Sequence, residues 1–468
     1  MKASALGLCA MVATTASLAH AQVCENTRPT DPEGTLGYSY GSAEVAYYDS
    51  PGGRARIHYA LSGPNAPPLA STLVNDVPDT IAVAGEAADA ALQKYVDLDY
   101  LRPVSDGDSP CPSNGGSDAV DVYVLNMTKA DGQALFDHCK AGTPLTCAGF
   151  VLVENDYRAG GYADATEGMR TVVPHELFHL VQNAYDSNVE RWWAEGSAQW
   201  AAKQVYPGLH DLERLLPEYF AAPWRPLNVP PTGVAAGFLY ATAIWPVFLD
   251  EQYGADFVGQ VFDRLGAGEA NVLDATDAVL RAHDADMPSA FSRFATMNAA
   301  TGTRAPTSGG YEHAADYPDV SITETAAVGD GDSIDEVFSG FGAYYYQLHS
   351  GAPLELSLDA DATRVTALLL PLVDGRADLD SAEPLPTTLE GDGIVVVAGQ
   401  SQARTDAPFT LHADARNSGG DDGKAGKTES SGCAFGRSAP RGGVAAGAAV
   451  GLMVSLLRRV RARRRRTR

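Results

Sequence analysis

Residues 171–200 read TVVPHELFHLVQNAYDSNVERWWAEGSAQW and contain the motif His-Glu-Leu-Phe-His at positions 175–179. Residues four apart lie one above the other on a helix, so His175 and His179 can direct two imidazole nitrogens at one metal ion. Glu176 follows on the adjacent face, where a base can take a proton from water that the ion activates. The stretch therefore predicts a helix that carries a metal centre.

A third protein ligand is expected, because catalytic zinc usually has three such ligands and one open position. Glu195 is the candidate, 16 positions after His179 in the sequence WAEGSA. The polar residues 186–188 predict a helix break and an N-cap, and a second helix is expected from about residue 189 to about 205. A hairpin of two helices would bring Glu195 back towards the histidines.

The pair of motifs, HELFH followed by WAEGSAQW, resembles the zincin metallopeptidases of the gluzincin type. It is more closely similar to a group of secreted bacterial metalloproteases that carry W-x-x-E-G-[ST]-A-x-W after HExxH. The resemblance covers roughly residues 40–265 and implies an α+β zincin-like fold over 22–315. It also implies one catalytic zinc ion held by His175, His179 and Glu195. Glu176 would be the general base of peptide-bond hydrolysis.

The sequence departs from related families at three positions. A metzincin needs Gly and His where this chain has Gln182 and Tyr185, which excludes that class. In thermolysin-like relatives, a carboxylate four residues after the ligand Glu supports a zinc-bound histidine. Here that position is Gln199, whose amide oxygen would accept the same bond less strongly.

The residues before the motif predict a hairpin over 43–61, a helix from about 77 to 96, and strands at 120–125 and 149–154. In zincins an extended substrate pairs with an edge strand beside the active helix. By resemblance, Phe150–Glu154 is the candidate edge, and an internal strand is an equal alternative. Pro174 predicts that the active helix begins there or is kinked there.

The residues after the motif predict a lobe of helices over 233–253, 257–265, 272–283 and 289–297. Zincin hydrolysis also needs a hydrogen-bond donor to the oxyanion, commonly Tyr or His. The sequence leaves four candidates for this donor: Tyr185, His210, Tyr240 and Tyr253.

From residue 316 the pattern changes to short strands separated by turns, which predicts an all-β sandwich domain over 316–415. Asp330, Asp332 and Asp335 could bind calcium there, although acidic turns are usually just solvated. A Gly/Ser/Asp/Lys linker without a core follows at 416–432.

Both ends of the chain read as targeting segments. Residues 1–21 have the Lys, the apolar run and the Ala-His-Ala site of a secretory signal peptide. Residues 433–468 hold a Gly-Cys junction at Cys433, a short apolar run and eight arginines from Arg458 onward. This resembles the myxobacterial C-terminal sorting signal (MYXO-CTERM), which implies a processing enzyme as partner and display at, or release from, the cell surface. A plain tail anchor with cytoplasmic arginines is the alternative.

Composition limits the partners. The chain has 468 residues and a net charge of −25. The signal holds one Lys, and residues 434–468 hold ten Arg and no acid, so the body keeps 23 of 34 basic residues against 59 acidic ones. A chain this acidic repels phosphate backbones, and we expect no nucleic-acid partner. Contact with a membrane is expected only through the C-terminal segment.

Four cysteines remain in the exported body: Cys24, Cys111, Cys139 and Cys147. An even number in an exported protein favours two disulfides, and three pairings exist. We prefer Cys139–Cys147 with Cys24–Cys111, because the first pair closes a short loop.

The sequence thus predicts an exported zinc endopeptidase that acts on peptide or protein substrates. Two functions from other classes compete with it. One is a catalytically silent surface scaffold or adhesin that keeps the fold. The other is a zinc hydrolase of a non-peptide bond, such as a cell-wall amide or an ester.

Overall fold

The computed structural model describes residues 27–107, 111, 113–128, 130–158, 160–232, 237–402 and 405–415. The protein is mixed α+β in these ranges, with a five-stranded sheet, a group of helices and then a large antiparallel sheet. The predicted signal peptide, linker and sorting segment lie outside the described residues. Within the described ranges, no helix has the length and apolarity needed to cross a membrane.

The strands of the first sheet are β1 (Val45–Asp49), β2 (Ala55–Ala60), β3 (Val120–Leu125), β4 (Gly132–Lys140) and β5 (Thr146–Glu154). The helices are α1 (Asp79–Asp97), α2 (Ala165–Tyr185), α3 (Arg191–Val205), α4 (Asp211–Leu215), α5 (Pro217–Phe220), α6 (Phe238–Ala241), α7 (Ile244–Tyr253), α8 (Phe257–Gly266), α9 (Val272–Ala282) and α10 (Met287–Ala299). The strands of the second sheet are β6 (Glu324–Ala327), β7 (Asp332–Phe338), β8 (Ala343–Ala360), β9 (Val365–Val373), β10 (Arg376–Ala377), β11 (Glu383–Pro384), β12 (Thr387–Gly399) and β13 (Ala407–Ala415).

The first sheet has the strand order β1-β2-β3-β5-β4, so β5 lies inside it and β4 forms an edge. The interpretation of Phe150–Glu154 as the edge strand is therefore wrong. β2, β3 and β5 are parallel, whereas β4 returns antiparallel to β5 through a short hairpin. Strand β4 is not predicted by the sequence pattern, because GQALFDHCK does not alternate cleanly and its register shifts between Phe136 and His138.

The two faces of this sheet are covered differently. Alternate side chains such as Val122 and Val151 pack against α1 and α2 in the main core. Their neighbours, among them Tyr123 and Phe150, face a smaller cluster closed by the N-terminal segment. The Tyr40 hydroxyl fixes that segment by donating to backbone carbonyls of both β2 and β3.

Helix α2 begins at Ala165 and continues through Pro174. The prediction that the helix begins near Pro174 is therefore wrong. Its N-cap is Asp164, whose side chain accepts a hydrogen bond from the Glu167 backbone N–H. The Tyr95 hydroxyl of α1 donates to the Pro174 carbonyl at 2.8 Å. The cap and this contact fix both the register and the rotation of the helix that carries the HExxH motif.

The later helices α8, α9 and α10 follow the predicted ranges closely, and the first predicted helix differs. The predicted helix over 233–253 is two helices, α6 and α7, and residues 233–236 lie outside the described residues. Gly196 explains how α3 approaches this pair: a Cβ there would lie 2.6 Å from the Thr242 hydroxyl. That hydroxyl is already engaged with the carbonyls of Trp192 and Leu239. Glycine at 196 therefore sets the distance between α3 and α6.

The C-terminal strands form one eight-stranded sheet in the order β10-β9-β12-β8-β13-β7, with β11 and β6 attached to β9 and β8. The predicted all-β character of this region is confirmed. The predicted sandwich implies two sheets, whereas these strands belong to one hydrogen-bonded sheet, because β8 is long enough to pair with β12, β13 and β6. One face of the sheet joins the helical core through contacts of α10 with β12.

The calcium interpretation finds no support in this region. Asp330 accepts a hydrogen bond from the Ala415 backbone, Asp332 from the Gly329 backbone, and Asp335 from the Thr410 hydroxyl. Each carboxylate thus serves a separate local contact. The three do not appear among the groups of described residues whose ligand atoms converge closely enough for a metal.

The predicted disulfide between Cys139 and Cys147 is confirmed. The two residues stand directly opposite each other in the β4–β5 pair, with Cα atoms 4.0 Å apart. The bond therefore pins the hairpin that forms the sheet edge. The other predicted pair includes Cys24, which lies outside the described residues.

Arg28 forms a buried charge cluster that the sequence did not predict. Its guanidinium is 1% exposed and contacts Asp106, Asp121 at 2.6 Å and Asp137 at 2.7 Å. His58 adds a 2.8 Å contact to Asp121. One guanidinium faces three carboxylates, so the cluster carries surplus negative charge. Burial raises the pKa of Asp106 to about 7; Arg28 opposes this rise, and the other two carboxylates add to it.

This cluster predicts a loss of stability as pH rises. A folded-state pKa near 7 exceeds the ordinary value of 3.8, so the folded protein holds the Asp106 proton more tightly than the unfolded chain. The resulting stabilisation is complete below about pH 4 and is lost as pH rises towards 7. We expect Asp106→Asn to shrink the difference in unfolding free energy between pH 5 and pH 8 by about 2 kcal/mol, measured by urea denaturation. Parallel pH profiles for the two proteins would contradict this account.

Candidate metal centre

The predicted ligands meet at one point. His175 and His179 lie in the middle of α2, and Glu195 lies on α3. The His175 Nε2 atom is 3.3 Å from Glu195 Oε2 and 3.2 Å from His179 Nε2, and His179 Nε2 is 3.5 Å from the same carboxylate oxygen. These residues are the group of described side chains whose ligand atoms converge closely enough to hold a metal ion.

The triangle fits zinc. Zinc–nitrogen and zinc–oxygen bonds of about 2.0–2.1 Å at tetrahedral angles place ligand atoms about 3.3–3.4 Å apart. The three observed separations, from 3.2 to 3.5 Å, bracket that value. Burial is partial: the side chains of His175, His179 and Glu195 are 9%, 18% and 16% exposed. The group is therefore largely buried but keeps limited contact with solvent.

A chain of hydrogen bonds fixes the tautomer of His179. The Ser197 hydroxyl donates to the Trp193 carbonyl at 2.6 Å, so it accepts from Gln182. The Gln182 amide nitrogen donates to that hydroxyl and to the Ala194 carbonyl. Its oxygen must then accept from His179 Nδ1, 2.9 Å away. The Nε2 atom of neutral His179 consequently carries a lone pair.

Three electron-pair donors therefore face one another. Neutral His179 presents a lone pair to an ionised carboxylate and to a second imidazole, an arrangement that needs a shared cation. Without a metal, a proton partly meets that need: burial lowers the pKa of His179, but the hydrogen bond and charge of Glu195 outweigh burial and raise it to about 9. Burial likewise opposes ionisation of Glu195, yet its bonds to the two histidines hold its pKa far below the usual range.

The side chain that supports a histidine of this group is Gln182, at His179, and not the expected Gln199. Gln199 donates instead to Asp211 at 2.6 Å and thereby ties α3 to α4. The family resemblance indicates a supporting residue after the ligand Glu, whereas Gln182 lies before it in the sequence. Its spacing held a signal all the same, since residue i+3 on a helix lies beside residue i, here His179.

Glu176 lies under the edge strand. A Cβ on Gly132, the first residue of β4, would lie 2.7 Å from the Glu176 carboxylate and 2.4 Å from Val172. Glycine at 132 thus lets the strand reach the helix. Glu176 is 8% exposed, and burial raises its pKa. The charges of the two histidines oppose this rise, as does a hydrogen bond from the Ala134 backbone.

Only Tyr240 of the four tyrosine and histidine candidates lies at the metal centre in the described part of the chain. Its ring packs against that of His175, with centroids 5.8 Å apart. The Glu195 charge, followed by burial, raises the Tyr240 pKa well above 10, so the hydroxyl keeps its proton at neutral pH. Tyr185 accepts from the Leu101 backbone, Tyr253 packs on His283, and the exposed His210 stands beside Glu213.

Comparisons with known proteins add little to this geometry. No protein-family model matches the sequence, and no curated protein matches it. Among solved structures, part of the chain is similar to PliG, a periplasmic lysozyme inhibitor of g-type lysozyme, from Aeromonas hydrophila and Salmonella Typhimurium. The identities are 14% and 8%, over 20% of this chain and 96% and 98% of those chains, with TM-scores of 0.16 and 0.15. Scores this low support no conclusion about fold or function.

The support given by Gln182 yields a matched pair of variants. Gln182→Leu removes the acceptor that holds His179 in its ligand tautomer, and such losses usually weaken metal binding about 10–100-fold. Gln199→Leu makes the same chemical change at a residue equally buried, 4% against 3% exposed, that contacts neither histidine. We expect chelator competition to show weaker zinc binding only for Gln182→Leu. Equal zinc affinities in the two variants would remove Gln182 from this role.

Proposed function

We propose that this protein is an exported, zinc-dependent endopeptidase with a zincin-like catalytic region. The observation that carries the proposal is the convergence of three ligand atoms at zinc-ligand spacing beside a buried carboxylate. Three ligands leave a tetrahedral ion one open position. The solvent-facing side of the group is where substrate and water would meet.

In this proposal His175, His179 and Glu195 would hold the ion, whose Lewis acidity would make water a nucleophile near neutral pH. Glu176 takes the proton of the attacking water and passes it to the leaving amine. Its raised pKa suits both steps, because a base works best when its pKa is close to the working pH. The Glu176 carboxylate is buried beside Gly132, the first residue of the edge strand β4.

Tyr240 is the proposed donor to the oxyanion that develops on the scissile carbonyl. It lies against His175, and the negative charge of Glu195 keeps its hydroxyl protonated. A donor placed before the reaction stabilises the developing charge without reorganisation. The structure supports Tyr240 over Tyr185, His210 and Tyr253 because those three contact other parts of the chain.

The proposed substrate is an extended peptide that pairs with the outer edge of β4. Within the described ranges this strand pairs with β5 on one side only, so its other side can accept a further strand. Its first residue, Gly132, touches Glu176, which places the edge beside the proposed base. The disulfide between Cys139 and Cys147 holds the far end of the hairpin.

We also propose that the protein works outside the cytoplasm. The signal-like residues 1–21 support export, and the Cys139–Cys147 disulfide fits an oxidising compartment. The C-terminal residues 433–468 would hold the chain at a membrane until a processing enzyme acts. The apolar run at 442–457 would span about 24 Å as a helix, short of the roughly 30 Å hydrocarbon core.

The proposed base is tested with Glu176→Gln. This change keeps the shape of the side chain and leaves the three ligands in place, so zinc content should stay at the wild-type level. Loss of a general base costs about 10²–10⁴ in rate, and we expect cleavage of a mixed peptide library to fall by at least that factor. The assay includes cell-wall fragments and esters, the substrates of the competing hydrolase.

Three results would contradict the proposal. Cleavage by Glu176→Gln at the wild-type rate would remove Glu176 as the base. Turnover of wall fragments or esters with none of peptides would assign a different hydrolase. Zinc binding without turnover of any substrate would assign a silent scaffold.

The proposed oxyanion donor is tested with Tyr240→Phe, which removes one hydroxyl and keeps the ring on His175. Loss of one such donor typically lowers kcat about 10²–10³-fold. We expect that fall in kcat with little change in KM, measured by steady-state kinetics on one library-derived peptide. Tyr253→Phe, at a tyrosine that packs on His283, is the control and should leave kcat unchanged. A Tyr240→Phe enzyme with wild-type kcat would exclude the hydroxyl as donor.

A further inference from the structure

Arg191 stands at the rim of the metal centre. It is the first residue of α3, one helical turn before Glu195, and its side chain is 70% exposed. Its guanidinium lies 3.9 Å from Glu195 Oε1, whereas the other oxygen, Oε2, faces the two histidines. The charge of Arg191 therefore lies on the side of the carboxylate away from the imidazoles.

The charge of Arg191 is weakly compensated. A pair at 3.9 Å with one partner largely exposed contributes little, and here the partner carboxylate is already shared by two histidines. Arg214, by contrast, bonds to Asp211, its guanidinium packs over the Tyr162 ring, and it also reaches the Gly160 carbonyl. Among the described residues Glu195 is the one carboxylate paired with Arg191, so most of the five N–H donors of Arg191 remain available there to an incoming group.

The position of Arg191 relates it to the reacting bond. Its guanidinium lies 3.9 Å from Glu195, a proposed ligand of the ion at which the scissile carbonyl would bind. A peptide bound at that ion would therefore bring the residues next to its scissile bond towards the exposed side chain of Arg191.

We propose that Arg191 selects substrates that carry a carboxylate beside the scissile bond. An aspartate or glutamate side chain would provide that group, and so would the C-terminus of a short peptide. Planar guanidinium and carboxylate groups pair through two parallel hydrogen bonds, which gives direction as well as attraction. This assignment rests on the proposed peptidase function and adds the class of substrate to it.

The overall charge of the chain does not oppose this selection at physiological salt. The net charge of −25 repels acidic peptides at long range. At 0.15 M salt, however, the screening length is about 8 Å, so the distant charges are largely screened and a contact pair persists. We therefore expect the preference for acidic peptides to be weaker at low salt than at 0.15 M salt.

The experiment compares matched peptides on wild-type protein, Arg191→Gln and Arg281→Gln. Each pair of peptides differs by Glu against Gln at one position next to the cleaved bond, and a further pair by a free or amidated C-terminus. Arg281 is the control because it too has an i,i+4 carboxylate partner, Asp277 on α9 at 2.8 Å, and is 65% exposed. For wild-type protein and Arg281→Gln, we expect kcat/KM about tenfold higher for the acidic member of one pair, mainly through KM. Arg191→Gln should lose that ratio.

Binding provides a second readout that does not need turnover. In the Glu176→Gln background, fluorescence anisotropy should show the same tenfold preference and its loss in Glu176→Gln/Arg191→Gln. The peptide pair that shows the preference identifies the recognised group as a side-chain carboxylate or as a C-terminal carboxylate. Equal losses for acidic and neutral peptides, or a fall in zinc affinity, would mean that Arg191 positions Glu195, and would overturn the proposal. If no peptide is cleaved, the proposed peptidase function is wrong. If acidic and neutral peptides bind equally well, the proposed selection of a carboxylate is wrong, whatever the outcome for cleavage.

Discussion

Three lone pairs that converge on one point are the constraint on which the rest of this molecule depends. Two imidazoles and a carboxylate, 3.2–3.5 Å apart, repel one another unless a cation lies between them. The arrangement is not left to chance, because the bonds from Trp193 through Ser197 and Gln182 to His179 run in one direction only. The backbone of α3 thus determines which nitrogen of a histidine on α2 is free to bind a metal.

The fold serves this centre through close backbone approaches. Gly132 brings the edge strand onto Glu176, and Gly196 brings α3 onto Thr242 and so places Tyr240 near the histidines. A Cβ at either position would overlap a neighbouring atom. On the far face of the sheet, the Arg28 cluster fastens the N-terminal segment across the strands. Because the cluster has three carboxylates and one guanidinium, the stability of that face depends on pH.

The sequence predicted the parts of the site that depend on local geometry. The spacing of His175 and His179 within one helix needs no knowledge of the fold, and the predicted hairpin of α2 and α3 put Glu195 within reach. The β-strands after residue 316 and the Cys139–Cys147 bond were predicted for similarly local reasons. Each of these follows from periodicity or short spacing.

What the sequence did not predict depends on contacts between distant segments. The edge of the first sheet is β4, because β5 is paired on both sides, and strand order is not encoded in the pattern of either strand. The Arg28 cluster joins residues separated by 78 to 109 positions. Tyr240 could be chosen from four candidates only after its ring was placed against His175. The expected hydrogen bond from a zinc-bound histidine to Gln199 is not among the contacts of the described residues, and the Gln199 amide nitrogen donates to Asp211 on another helix.

The central claim is that His175, His179 and Glu195 form one zinc site, and the metal stoichiometry of purified protein tests it most directly. Elemental analysis after dialysis, combined with X-ray absorption at the zinc edge, measures both the content and the ligands. We predict one zinc ion per chain with two imidazoles and a carboxylate at about 2.0–2.2 Å, and loss of tight binding in Glu195→Ala. Protein without zinc after reconstitution, or equal zinc affinity in wild-type and Glu195→Ala protein, would contradict the account.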